Sequence, residues 1–273
     1  MLFTKNLPIL MYHHVSEKNG LVTLPPLSFR RQMQWLAEKN WKTLTDAEME
    51  YFYQGGRFPR KSVMLTFDDD WLDNWFQVFP VLQEFNLHAH IFLITDQVGE
   101  CPVQRHQSSV FSHKDCEYQV AVGNVDIVML RWSEVRAMAE SGLVEFYHHT
   151  YPHTRWDRVS VNRDIQNEML TADIILSREK MKEKTGHCSK HLCWPEGYYN
   201  RDYIWLANSL GFSYLYTTER RMNAVRNGPL SIGRISTKER ESLSWLVRRL
   251  FYYTTPGFSS LLALYRGPRV EDE

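Results

Sequence analysis

The chain carries no excess of charge of either sign: 32 Lys and Arg stand against 32 Asp and Glu in 273 residues. A protein that grips nucleic acid through its phosphates would show a basic surplus, so nucleic acid is not an expected partner. Cysteine is scarce. Cys101, Cys116, Cys188 and Cys193 are too few for a disulfide scaffold and read as reduced thiols of a cytosolic protein. No run approaches the ~20 apolar residues of a membrane span. The opening MLFTKNLPILMY lacks a basic n-region, a long apolar core and a small-residue cleavage site, and the expectation is a cytoplasmic chain, at most at the inner face of the membrane. Repeats, low-complexity tracts and linkers are also absent, so residues 1–273 are expected to form a single domain.

What is present is 43% hydrophobic, 14% aromatic and 23% charged, the make-up of a packed soluble protein. Apolar runs of strand length alternate with helical patterns, which predicts an α/β fold on a parallel sheet. Strands are predicted at 8–12, 62–67, 90–94, 143–146, 191–194 and 214–217. Helices are predicted after Ser28 and Ser133 as N-caps, after the Thr45–Glu48 capping box, around Trp75 to Phe79 with a break or restart at Pro80, over about 161–184, and from Asn200 to Leu210. Residues 96–130 show no strong period and are expected to be a long inserted loop. Cys101, His106, His113 and Cys116 fall in it with a spacing that fits no common zinc module. The aromatic stretch 243–265 is a candidate membrane-surface segment, although a core-facing helix is the simpler reading.

Three clusters follow predicted strands, where α/β folds bind ligands: Asp68-Asp69-Asp70, His148-His149 with His153, and Trp194-Pro195-Glu196-Gly197. Taken singly, an Asp triplet is an ordinary loop start, spaced histidines often just pack, and Trp-Pro-x-Gly is a turn. Their joint occurrence carries more. Adjacent carboxylates repel unless a cation offsets them, and one Asp with two His makes a three-ligand zinc site with positions left open. A second Asp is then placed to take a proton from water that the ion has acidified.

The motifs Leu65-Thr66-Phe67-Asp68-Asp69 and His149-Thr150-Tyr151-Pro152-His153 resemble those of the NodB-like polysaccharide deacetylases of carbohydrate esterase family four. Within that family, Met11-Tyr12-His13-His14-Val15, Trp194-Pro195-x-Gly197 and Gly233-Arg234-Ile235 are similar to the poly-N-acetylglucosamine deacetylase branch. The resemblance runs from about residue 8 to 250. It implies a distorted, circularly permuted (β/α) barrel. It also implies metal-dependent removal of acetate from an N-acetylhexosamine of a bacterial exopolysaccharide or its lipid-linked precursor. Asp68 would be the general base, Asp69, His149 and His153 the ligands of one divalent ion (zinc, with cobalt or nickel as alternatives), and Trp194, Pro195, Glu196 and Gly197 the substrate-binding loop. The family's usual Leu-x-His general-acid motif is missing, and the branch pattern transfers that role to His13.

Three positions depart from the pattern: Asp70 replaces a glycine, Glu196 an aromatic residue, and His148 a small residue before the first histidine ligand. Asp70 is expected either to turn outward or to favour a cationic group. The rival readings are a catalytically impaired glycan-binding protein on the same fold, or another metal-dependent glycan hydrolase such as a deformylase or glycosidase. The resemblance leaves the oligomeric state open.

Overall fold

The computed structural model of the chain describes residues 3–105, 111–238 and 241–255. Its strands are β1 (Ile9–Tyr12), β2 (His14–Val15), β3 (Thr23–Leu24), β4 (Lys42–Thr43), β5 (Ser62–Phe67), β6 (Ala89–Leu93), β7 (Val144–His148), β8 (His191–Cys193), β9 (Tyr214–Tyr216) and β10 (Ile235–Ser236). The helices are α1 (Pro26–Glu38), α2 (Asp46–Tyr53), α3 (Phe79–Phe85), α4 (His113–Ala121), α5 (Trp132–Glu140), α6 (Trp156–Val159), α7 (Arg163–Thr185), α8 (Arg201–Ser209) and α9 (Leu243–Thr254).

The main sheet runs β10-β1-β5-β6-β7-β8-β9, with β4 on β5, and every pairing is parallel. Its two edges meet through one segment: Ile232 bridges Tyr216 of β9, while Ile235 and Ser236 pair with Leu10 and Met11 of β1. The sheet thereby curls into the (β/α) barrel expected from the sequence. Because strand side chains alternate, each strand feeds two cores. Val63, Leu65 and Phe67 of β5 join Leu10, Tyr12, Ile91 and Leu93 in the layer under the helices. Met64, Phe92, Tyr147, Cys193 and Tyr216 point the other way and fill the barrel interior. That alternation decides which motif residues enter the barrel.

Local signals hold in some places and fail in others. Thr45 and Glu48 form the reciprocal capping box at the start of α2. The restart near Pro80 is real: a π-helical turn, Asn74–Val78, hands over to α3 with Pro80 in its first turn. Ser28, however, lies inside α1, which starts at Pro26 because proline presets φ and gives up an N–H that the first turn leaves free anyway. Ser133 likewise lies inside α5, which begins at Trp132, and Glu134 accepts the Arg131 N–H.

The expected loop at 96–130 contains α4, too short at nine residues for its period to stand out, with its capping box at Ser112 and Asp115. In the C-terminal stretch, α9 buries Leu246, Leu250 and Tyr253 in the layer that also holds α1, so its described part is core-facing; residues 256–265 lie outside the described residues. Among the described residues no helix is long and apolar enough to cross a membrane. All four cysteines are free thiols.

Candidate active site

The carboxyl ends of β5, β7, β8 and the β10 segment converge on one cluster. Interior alternation along β5 runs Met64, Thr66, Asp68, and along β7 it runs Tyr147, His149, so Asp68 and His149 enter the barrel. His148 faces the opposite way, fully buried, with Nδ1 2.9 Å from Ser177 Oγ of α7 and its ring edge-on to Phe212. It therefore does not compete with His149 in the cluster. Just past the strands the backbone turns sharply. Of seven non-glycine residues with positive φ among the described residues, five (Asp69, Asp70, Thr150, His153 and Glu196) sit in these loops, which marks where unfavourable backbone is concentrated.

Asp69 Oδ1 lies 3.2 Å from His149 Nε2 and 3.7 Å from His153 Nε2. Zinc bonds of about 2.0–2.1 Å set tetrahedral ligand atoms ~3.3 Å apart, so this spacing suits one small divalent ion. His149 Nδ1 bonds the Cys193 carbonyl at 2.9 Å, which fixes the ring and leaves Nε2 for the ion. His153 keeps 25% of its side chain exposed against 3% for His149, so the open side of the triad faces solvent. Burial alone would raise the Asp69 carboxyl, but the His149 hydrogen bond and the His153 charge hold it well below its ordinary range. Burial, then the neighbouring His149 charge, lowers His153 to about 4. His149 goes up despite its burial, because the Cys193 sulfur and Asp69 both favour its charged form. These donors fit a divalent ion, which would take the place of the His149 proton.

Asp68 is held by Arg234 in a two-pronged ion pair, Nη1 to Oδ1 at 2.6 Å and Nη2 to Oδ2 at 2.8 Å, with both side chains buried. Burial pushes the Asp68 carboxyl up, and Arg234 followed by His13 more than offsets it, so the group stays ionised. Arg234 Nη2 also donates to Cys193 Sγ at 3.0 Å. Asp68, His149 and Cys193 could be grouped as a second ligand set. The guanidinium, however, already supplies the cation there. His13 Nε2 stands 3.8 Å from Asp68 Oδ2, and burial lowers its pKa.

Asp70 is not turned outward. It is fully buried, its Oδ1 accepts the Ile94 N–H at 2.7 Å, and burial, together with the Asp69 charge, raises its carboxyl well above the usual range. The Ile94 hydrogen bond ties the β5 loop to the end of β6. Trp194 is also buried, 1% exposed and packed with Tyr199 and Tyr203, so its side chain shapes the loop beneath the site and offers no face to a substrate.

Gly197 has φ +76°, and a Cβ there would collide with the Thr218 side chain, which explains the glycine of this motif. Glu196 points to the rim, where Arg155 (3.0 Å) and Arg158 (2.7 Å) neutralise it. In the 96–130 insertion, His113 Nδ1 meets His14 Nε2 at 3.1 Å rather than gathering with Cys101.

Sequence reasoning missed the role of Arg234. Gly233-Arg234-Ile235 was visible as a motif, and Gly233 is required because a Cβ there would approach the Glu219 carbonyl at 2.8 Å. Nothing local announces that this arginine reaches an aspartate 166 positions away.

The fold is an α/β barrel with a carboxylate–histidine cluster at the carboxyl ends of its strands, and the comparisons give its family and enzyme class. A model of the polysaccharide deacetylase family matches residues 55–215, more than half of the chain. The chain therefore belongs to the polysaccharide deacetylase family, hydrolases that act on N-acetyl amides. The poly-beta-1,6-N-acetyl-D-glucosamine N-deacetylase of Staphylococcus aureus (strain MRSA252) is 24% identical over 228 residues, 81% of this chain and 69% of that protein. Among solved structures, the Streptococcus pyogenes deacetylase PplD in complex with acetate has a TM-score of 0.73 at 21% identity, covering 93% of this chain and 100% of that one. IcaB from Ammonifex degensii gives 0.72 at 22% identity, covering 90% and 97%. These two structures share the fold.

Proposed function

We propose that this chain removes acetate from N-acetylglucosamine units of a bacterial exopolysaccharide, as the name of the Staphylococcus aureus relative says of that protein. The observation that carries the reading is an ionised, arginine-held aspartate, Asp68, beside a separate Asp-His-His triad at the mouth of the barrel. Asp69, His149 and His153 would hold one divalent ion, zinc foremost, which when bound polarises the acetamide carbonyl.

The remaining work falls to the chain's own groups. Asp68 takes the proton of the attacking water, and Arg234 positions it at some cost in basicity, because the ion pair lowers its pKa. The backbone amide of Glu196, in its left-handed turn, donates to the carbonyl oxygen as negative charge builds there. His13 gives its proton to the departing sugar nitrogen, and its lowered pKa makes it a stronger acid once charged. The C–N bond breaks, leaving acetate and a free amino sugar.

The test is to incubate zinc-loaded protein with β-1,6-linked N-acetylglucosamine oligomers and assay the products. Acetate in step with new amines is expected. New reducing ends without acetate would make the protein a glycosidase, and no product at all would leave a binding protein.

A further inference from the structure

A second cluster lies at the opposite, amino end of the same sheet. His88 precedes β6, His90 is its second residue, and Glu145 is the second residue of β7, directly across from His90 in the parallel register. His88 Nε2 is 2.8 Å and His90 Nδ1 3.3 Å from the same oxygen, Glu145 Oε2. His90 is fully buried and its ring is fixed by stacking on Tyr147.

The tautomer of His90 is set by its surroundings. Its Nε2 lies 2.8 Å from the Leu44 carbonyl, which can only accept, so Nε2 carries the hydrogen. Nδ1 is then a bare lone pair, buried and without a hydrogen-bond partner, aimed at a carboxylate oxygen that is also an acceptor. Two acceptors at 3.3 Å repel each other unless a cation stands between them. The same arrangement, one imidazole nitrogen on a backbone carbonyl and the other facing a carboxylate, occurs at His149 in the site above.

We infer that His88 Nε2, His90 Nδ1 and Glu145 form a second metal site, suited to a zinc-type divalent ion by its two nitrogens and one oxygen. The 3.3 Å separation is already that of tetrahedral ligands, and the His88–Glu145 contact opens by about half an ångström when the proton between them is released to water and the ion takes its place. Glu145 keeps 35% of its side chain exposed, which leaves an entry path and room for a water as fourth ligand. Glu145 Oε2 also accepts the Asp46 N–H at 2.6 Å, so a bound ion would tie the start of α2 to the floor of the barrel.

The experiment uses the full chain carrying His149→Ala and His153→Ala, which removes the carboxyl-end triad. It is stripped with chelator, reloaded with Co2+ or Zn2+, dialysed and assayed for metal. About one ion per chain is expected, with the visible absorption of tetrahedral Co2+, falling to none when His90→Gln is added. In a background that keeps the first triad, His88→Gln at the rim should lower the content from two ions to one. A double variant with unchanged circular dichroism and no bound ion would overturn the inference, and so would an ion that survives both His90→Gln and His88→Gln.

Discussion

The two ends of the barrel carry the same donor set, two histidines and a carboxylate, in different backbones. At the amino end the groups sit on regular strand and its approach, with His90 and Glu145 in ladder register and no positive φ among them. At the carboxyl end they sit on loops with left-handed residues at Asp69, Thr150 and His153, beside an extra aspartate locked to an arginine. The lesson is that ligand type alone does not make a reactive site. What distinguishes the carboxyl end is the second carboxylate, Asp68, kept ionised and aimed, together with loops that leave one side open. The amino end has a second carboxylate too, Asp46, but its Oδ1 is taken up by His191 Nε2 at 2.5 Å and the Tyr147 hydroxyl at 3.2 Å, so the role of an ion there would be to hold structure.

This contrast can be broken at several points. The largest effect is expected from His149→Ala, which removes a ligand and leaves Asp69 with one fewer partner: the carboxyl-end ion and acetate release should both be lost, read by elemental analysis and turnover. Arg234→Leu leaves the Asp68 charge buried and unpaired, so chemical denaturation should show a loss of about 3–5 kcal/mol, with activity falling as well.

A smaller and pH-dependent effect belongs to His148, whose pKa burial lowers to about 3. The unfolded chain takes up this proton below about 6.5 while the folded one waits until about 3, so stability is lost as pH falls through that window. Between pH 6.5 and 5 the loss should be ~2 kcal/mol, and His148→Asn should flatten that slope whatever it does at neutral pH. The smallest change is expected from Glu196→Gln. Glu196 and Arg158 are 47% and 61% exposed, so stability should move by under about 1 kcal/mol. A larger change would mean that the rim pairs hold the third loop in place.

Much of the carboxyl end was readable in the sequence because its logic is local. Thr66-Phe67-Asp68-Asp69 ends an apolar strand whose alternation puts Asp68 inside, and His149 and His153 share one short loop after β7. The fold class followed from alternating strand and helix patterns for the same reason. What stayed hidden depends on distance along the chain or on unusual backbone. Arg234 finds Asp68 only when the C-terminal segment closes the barrel. Asp70 has a φ of 35° and its side chain turns inward to the Ile94 amide, and although aspartate tolerates positive φ better than most residues, nothing in the local sequence says that this one adopts it. The pairing of His90 with Glu145 needs the register between β6 and β7, and α4 was too short to announce itself.

The central claim is that Asp68 acts as the base next to, and not as part of, the metal triad. Its most direct test compares zinc-loaded wild type with Asp68→Asn for both metal content and acetate release from an N-acetylglucosamine oligomer. The same zinc content with turnover reduced by about a thousandfold is predicted. Turnover within tenfold of wild type, or zinc lost from the carboxyl-end triad, would contradict the assignment.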